Sequence, residues 1–157
     1  MENLKINYLE NNDENIKIVS NLILKDISEK CFCNKDLEGN IISIEDMAII
    51  YLEYTKMYGI KYLDLYIGLL SLTNENEISI FIEPDYQNRG IGQYCLILFE
   101  KMLKEQYGLQ SLIAETTLDN IECIKLLNKN GFESTNETRE VPINNVPTKV
   151  AKYIKKL

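Results

Sequence analysis

The chain has no histidine, no tryptophan and three prolines in 157 residues. Without histidine, no side chain has an unperturbed pKa near neutrality. A reaction that moves protons must then use a carboxylate, a perturbed Lys, Tyr or Cys, or a chain of waters. Zinc sites built from Cys and His are nearly excluded as well, because the four cysteines, Cys31, Cys33, Cys95 and Cys123, include no C-x-x-C pair. No metal is expected. There is no run of about 18 apolar residues to cross a bilayer, and the opening MENLKINYLENNDENIK is too polar for a secretory signal. The expectation is no membrane partner and a cytoplasmic address, where cysteines stay reduced. Basic residues are scarce: 17 Lys and Arg against 24 Asp and Glu give a formal charge of −7. Nucleic-acid binders carry basic stripes that displace counterions, so nucleic acid is not an expected partner. An acidic field favours cationic substrates, or serves only to keep the chain soluble.

What is present suits one domain spanning residues 1–157, with an apolar fraction of 45% and enough length for a real core. KINYLE (5–10) alternates and reads as a first strand. From Glu14 to Glu29, Ile16, Val19, Leu22, Ile23 and Ile27 share a helical stripe, with Asn12 or Asp13 as N-cap. Residues 31–42 read as a loop. SIEDMAIIYLEYTKMYG spaces Ile44, Met47, Tyr51, Tyr54 and Tyr58 by threes and fours. Ser43 can cap it and Gly59 terminate it, so 43–58 is expected to be helix, although MAIIYLEYT is also strand-like. Residues 61–72 read as strand, TNEN (73–76) as turn and 77–83 as the next strand, forming a hairpin. A helix is expected over 92–107 with Gly108 past its end, and a strand over 109–118. Another helix runs from Asp119 or Asn120 to Gly131, and FESTNETREV and TKVAKYIKKL close the chain as two strands. The class is α/β with a mixed sheet.

PDYQNRGIG (84–92) stands where strand should turn into helix. Glycines at that turn expose the unpaired N–H groups of the helix's first turn, which with the helix dipole attract an anion. Two familiar phosphate motifs fail here. The third glycine position of G-x-G-x-x-G is Cys95, and the P-loop pattern is absent. What remains is Q-x-x-G-x-G, Gln87, Gly90 and Gly92, with Arg89 as a charged donor.

IFIEPDYQNRGIGQ, followed by a long amphipathic helix, a strand and NIECIKLLNKNGF, resembles the GNAT superfamily of acyl-CoA-dependent N-acetyltransferases. The two motifs cover residues 77–132. The resemblance implies a mixed, mostly antiparallel sheet of six to seven strands with about four helices, splayed at the central parallel strand pair. It implies acetyl-CoA as co-substrate, its pantetheine arm in the splay against the backbone of Ile80, Phe81 and Ile82. The pyrophosphate would lie on the backbone of Asn88, Arg89, Gly90, Ile91, Gly92 and Gln93, with Gln87 bracing the loop. Asn120 matches a position that commonly contacts the cofactor. Family members often pair, so the resemblance admits a homodimer while leaving the oligomeric state open. A helix over the whole of 43–58 leaves little chain for the family's second strand.

Acetyl transfer to nitrogen needs a neutral amine, whose pKa is near 10.4 by analogy with lysine. Glu77 lines up with a position used as general base in some family members and is the candidate here. Glu83, on the same strand face, and Glu115, on the neighbouring strand, rank behind it. Many relatives carry a tyrosine in the second motif, thought to protonate the departing thiolate; that position is Leu127. Cys123 reads as a packed helix residue. Five of the ten tyrosines fall in YLEYTKMYGIKYLDLY, which in the family borders the acceptor pocket, and with Glu53 and Asp64 would suit an ammonium group. The expected function is transfer of acetyl from acetyl-CoA to a primary amine of a small cationic molecule or a peptide N-terminus. The alternative is a non-catalytic acyl-CoA-binding module.

Overall fold

The computed structural model describes residues 3–26, 40–143 and 146–157. Ile27, Cys31, Cys33 and most of the expected 31–42 loop lie outside the described residues. Among those described, seven strands and four helices follow one another as β1 (Leu4–Leu9), α1 (Asp13–Ile23), α2 (Ile44–Tyr54), β2 (Lys56–Tyr62), β3 (Leu65–Leu72), β4 (Ile78–Ile82), α3 (Ile91–Tyr107), β5 (Ser111–Thr117), α4 (Ile121–Lys129), β6 (Glu133–Ile143) and β7 (Val146–Lys156).

Asn12 caps α1, its side-chain oxygen accepting the Asn15 N–H at 2.9 Å. The helix ends before the expected Glu29. At its close the backbone tightens, Lys25 N–H bonding to Leu22 O and Asp26 N–H to Ile23 O, the shorter repeat of a 3-10 turn. The expected helix over 43–58 is correct only as far as Tyr54. Thr55 is already extended, with φ −130 and ψ 156, and Lys56–Tyr62 form β2. Met57, Tyr58, Gly59 and Ile60 are all buried because β2 is paired along both edges, by β1 and β3, and covered on both faces. Met57 lies in the cluster with α1 and α2, and Tyr58 and Ile60 in the cluster with α3. A doubly covered strand wants a continuous apolar run, and here that run happens to extend the helical spacing of the tyrosines. Gly59 therefore ends no helix. It lies under the Tyr66 ring, whose Cε1 would stand 2.5 Å from an added Cβ. The expected strand over 61–72 is likewise two strands, folded at Leu63 (φ 55) into the β2–β3 hairpin.

The strands form two antiparallel sheets in the orders β1-β2-β3-β4 and β5-β7-β6. β4 and β5 run parallel, and among the described residues one bridge joins them, Glu77 to Ile113. There the Ile113 N–H donates to Asn76 O at 2.9 Å. This junction lies at the N-terminal ends of both strands, so the pair parts toward its C-terminal ends. The mixed, splayed arrangement expected from the family resemblance is present.

Side chains alternate along β4. Ile78 and Ile82 join Cys95, Leu96, Phe99 and Leu103 of α3 in one apolar cluster, with Ile80 packed against it. Phe81 joins Leu9, Val19, Met47 and Leu69 under α1 and α2 in another. Phe99 is fully buried, and truncating a phenylalanine so placed costs about 3–5 kcal/mol. The two clusters pack β4 from both faces beside the splay.

Candidate active site

Pro84 has no N–H to donate, and the last rung of the β3–β4 ladder comes one residue earlier, where Glu83 N–H bonds to Ile67 O at 2.8 Å. A single 3-10 turn, Pro84–Tyr86, then lifts the chain away. Gln87 reaches back, its Nε2 donating to Ile82 O at 2.7 Å, and so ties the loop to the end of β4. Asn88 (φ 58) and Gly90 (φ 75, ψ 0) both take left-handed conformations, which swing the backbone round into α3. Among the described residues, no side chain caps the donors of that helix's first turn. Gly92 follows at the second helical position. A Cβ there would meet Leu126 at 3.6 and 3.9 Å and Ile82 at 4.0 Å, which is ordinary contact. Packing inside the protein does not demand glycine at 92; a close approach from outside would. Arg89 is exposed, its guanidinium 5.4 Å from the centre of the Tyr86 ring. The mouth can receive an anion along the backbone, with a cation beside it.

The splay supplies a second set of backbone groups. Thr73 N–H bonds to Glu77 O and Glu83 N–H to Ile67 O, so the odd-numbered residues of β4 address β3. The even-numbered ones, Ile78, Ile80 and Ile82, turn theirs toward β5. Ile82 O is taken by Gln87, which leaves Ile80 the residue of mid-strand facing the opening. Phe81, expected to contribute to the splay, does not: its carbonyl lies on the β3 side, 2.3 Å from a Cβ built on Gly68, and its ring is buried under α1 and α2.

Glu77 sits at the vertex of the splay, half-buried. Burial, then the nearby Glu115 carboxylate, hold its pKa above the ordinary carboxylate value. Glu75 adds to the rise, while Arg139 and Lys152 oppose it. Glu83 is engaged elsewhere, paired with Lys25 Nζ at 2.6 Å. Glu115 is paired too: Arg139 Nε lies 3.1 and 3.0 Å from its two oxygens, and Nη2 closes the fork. Among the described residues no three Cys, Asp or Glu side chains converge as a metal ion would require.

The decisive comparison is with protein families. A model of the acetyltransferase (GNAT) family matches residues 24–132, more than half of the chain. The chain belongs to the GNAT acetyltransferase family. It is an acetyl-CoA-dependent N-acetyltransferase. Its fold is similar to a spermidine N-acetyltransferase from Vibrio cholerae in complex with CoA and spermine, at a TM-score of 0.79 and 17% identity over 99% of this chain and 96% of that one. It is similar to RimL, a ribosomal-protein α-N-acetyltransferase in complex with coenzyme A, at 0.79 and 16% over 100% and 96%. A ribosomal-protein-S5-alanine acetyltransferase from Vibrio fischeri scores 0.79 at 12% identity over 99% and 94%. No curated protein matches the chain in sequence.

Asn120 begins α4, but its side-chain oxygen accepts the Cys123 N–H at 3.2 Å, so it works first as a helix cap. Leu127 is 2% exposed in the α3 cluster, a packing residue in place of a tyrosine. Burial holds the Cys123 thiol above its usual range, partly offset by a hydrogen bond with Thr116, and pushes Cys95 up to about 12; neither is a ready nucleophile. The tyrosine-rich stretch makes no single cage. Tyr58 is buried against Phe99 and bonded to the Tyr107 hydroxyl at 2.9 Å, Tyr66 packs in the opposite cluster, and Tyr54 lies in solvent. Arg139 went unnoticed in the sequence. One signal was available: it and Arg89 are the chain's two arginines among 17 basic residues, and arginine is the side chain suited to a two-point grip on a carboxylate.

Proposed function

We propose that the chain acetylates a primary amine carried by a small cationic molecule or a peptide N-terminus, by direct attack of the amine on the thioester, with Glu77 as general base. The observation that carries this reading is the position of Glu77: a half-buried carboxylate at the vertex of the β4–β5 splay, where its proton affinity is raised. The pyrophosphate rests on the backbone of Asn88 to Gln93, as the uncapped start of α3 favours. The pantetheine arm enters the splay along Ile80 and Ile82 and carries the thioester toward the vertex. The amine gives up a proton to Glu77, directly or through one water, and its nitrogen bonds to the carbonyl carbon. The carbon–sulfur bond then breaks, the electron pair leaves with the thiolate, and the second proton lost by the nitrogen passes to that sulfur or to water. A thiol pKa near 8.5 makes that thiolate a tolerable leaving group, which fits the aliphatic Leu127 where relatives hold a tyrosine. The carboxylates of Glu75, Glu77 and Glu115, and the overall charge of −7, support an acceptor that arrives as a cation.

The test is the pH dependence of kcat/KM with Glu77→Gln beside the parent chain, on a panel of polyamines, aminoglycosides and N-terminal peptides. The base acts as carboxylate, so activity falls as pH drops through its pKa, and the raised value sets that acid limb above the ordinary carboxylate range. Glu77→Gln should lower turnover by about 100-fold or more and remove the limb, with CoA affinity kept. An unchanged profile takes Glu77 out of the mechanism. Tight CoA binding with no acceptor-dependent thiol release anywhere in the panel would overturn the transfer itself.

A further inference from the structure

We propose that Arg139 is a positioning residue for the transfer: by clamping the Glu115 carboxylate across the second sheet, it sets the charge that Glu77 faces. The proposal rests on the reading of Glu77 as base. The placement begins with register. Ser134 pairs with Tyr153, yet the next pair is Thr138 with Ala151, so β6 spends four residues where β7 spends two. Without that bulge Glu137 would stand opposite Val150; with it, Arg139 does. Val150 faces Thr117 on β5, and Glu115 is two residues from Thr117, on the same face. An insertion of two residues thus exchanges an acid for an arginine on the face that carries Glu115.

The grip itself is asymmetric. The Glu115 side chain is 16% exposed and that of Arg139 61%, so the arginine reaches inward from solvent. It meets both carboxylate oxygens with a planar fork. Lys152 is the direct cross-strand neighbour of Glu115, but its ammonium turns to Glu137 at 3.2 Å. The cluster therefore divides into an inner pair, Glu115 and Arg139, and an outer one, Glu137 and Lys152. The groups that bear on Glu77 are then Glu75 from the turn before β4, Glu115 from β5, Arg139 from β6 and Lys152 from β7. Of these, Glu115 is the largest charge acting on it and Arg139 the largest opposing one. An ion pair that merely braced two strands would contribute little at such exposure and would leave proton transfer alone.

The experiment compares kcat/KM against pH for the parent, Arg139→Gln, Arg139→Lys, Glu115→Gln and Glu77→Gln, with a carboxyl-carbon NMR titration of Glu77 in the free protein. Arg139→Gln leaves Glu115 unneutralised beside Glu77, so the acid limb and the NMR midpoint both move to higher pH. Arg139→Lys keeps the charge without the fork and falls between that variant and the parent. Glu115→Gln removes the repulsion and moves both to lower pH. CoA affinity stays within about 2-fold in all of them. Loss of activity with limb and midpoint unmoved would overturn the proposal and reduce the pair to a strand brace. Were a variant to unfold, the titration of Glu115→Gln alone still decides, since a fixed midpoint there sinks the idea. If instead the limb survives Glu77→Gln, the base assignment has failed on its own account.

Discussion

α3 and α4 begin alike and are finished differently. Each leaves the C-terminal end of one of the two parallel strands that part at Glu77, the place where α/β folds gather ligands. α4 is closed by its own Asn120, whose side chain bonds to Cys123 N–H. α1 and α2 do the same through Asn12 with Asn15 and Ser43 with Asp46. α3 starts on a left-handed glycine with no side-chain cap. A cap of this kind is worth about 1 kcal/mol, and glycine within a helix costs up to about 1 kcal/mol against alanine. Glycine at the cap gives up only a few tenths of that against Asn or Ser, so together with Gly92 the start of α3 forgoes at most about 1 kcal/mol of local stability that the other three helices keep. That amount is offset by the burial of Cys95, Leu96, Phe99 and Leu103 further along. A ligand that supplies the missing acceptors returns more than that: at about 100 times its Kd it stabilises the fold by about 2.7 kcal/mol.

The largest effect is expected from filling the open mouth. Gly90→Glu forces a side chain into the left-handed region and sets a carboxylate where phosphate would rest. CoA affinity measured by calorimetry should drop by more than about 100-fold, or roughly 3 kcal/mol. Retained affinity would show that the mouth of α3 plays no part in holding the nucleotide. The closed mouth gives the converse. Asn120→Ala removes the α4 cap and should cost about 1 kcal/mol in chemical denaturation, with CoA affinity changed by less than about 2-fold. A loss of affinity at unchanged stability would return Asn120 to the cofactor site and erase the contrast between the two helices.

The open mouth was legible in the sequence because its causes are local. Pro84, Gln87, Gly90 and Gly92 act on residues within five positions of themselves, and the caps of α1, α2 and α4 act within three. Such features survive reading one window at a time. β2 did not, since its spacing satisfies a helix, and only its pairing with β1 and β3 and the helices packed on either side show Met57–Ile60 to be strand covered on both faces. Phe81 looked like a wall of the splay until the β3–β4 register turned its backbone the other way. Arg139 lies 24 residues from Glu115 and meets it through a third strand and a bulge. Periodicity within β6 carries no trace of that meeting. Glu77 could be singled out as the candidate base from the chain, but the charges that bear on it required the sheet.

The smallest expected effect is also the one that isolates the ligand's claim on the mouth. Alanine at Gly92 would contact Leu126 and Ile82 at ordinary distances, and the position needs no left-handed φ. Within the protein the substitution is therefore favourable: it removes backbone freedom from the unfolded chain and should stabilise by about 0.5 kcal/mol. The methyl group also adds bulk beside the first-turn donors that a phosphate would approach, so CoA should bind several-fold more weakly. The two measurements must then move in opposite directions, thermal stability of the free protein up and affinity down. A substitution that raises both would mean that glycine at 92 serves neither packing nor ligand, and the open start of α3 would need another explanation.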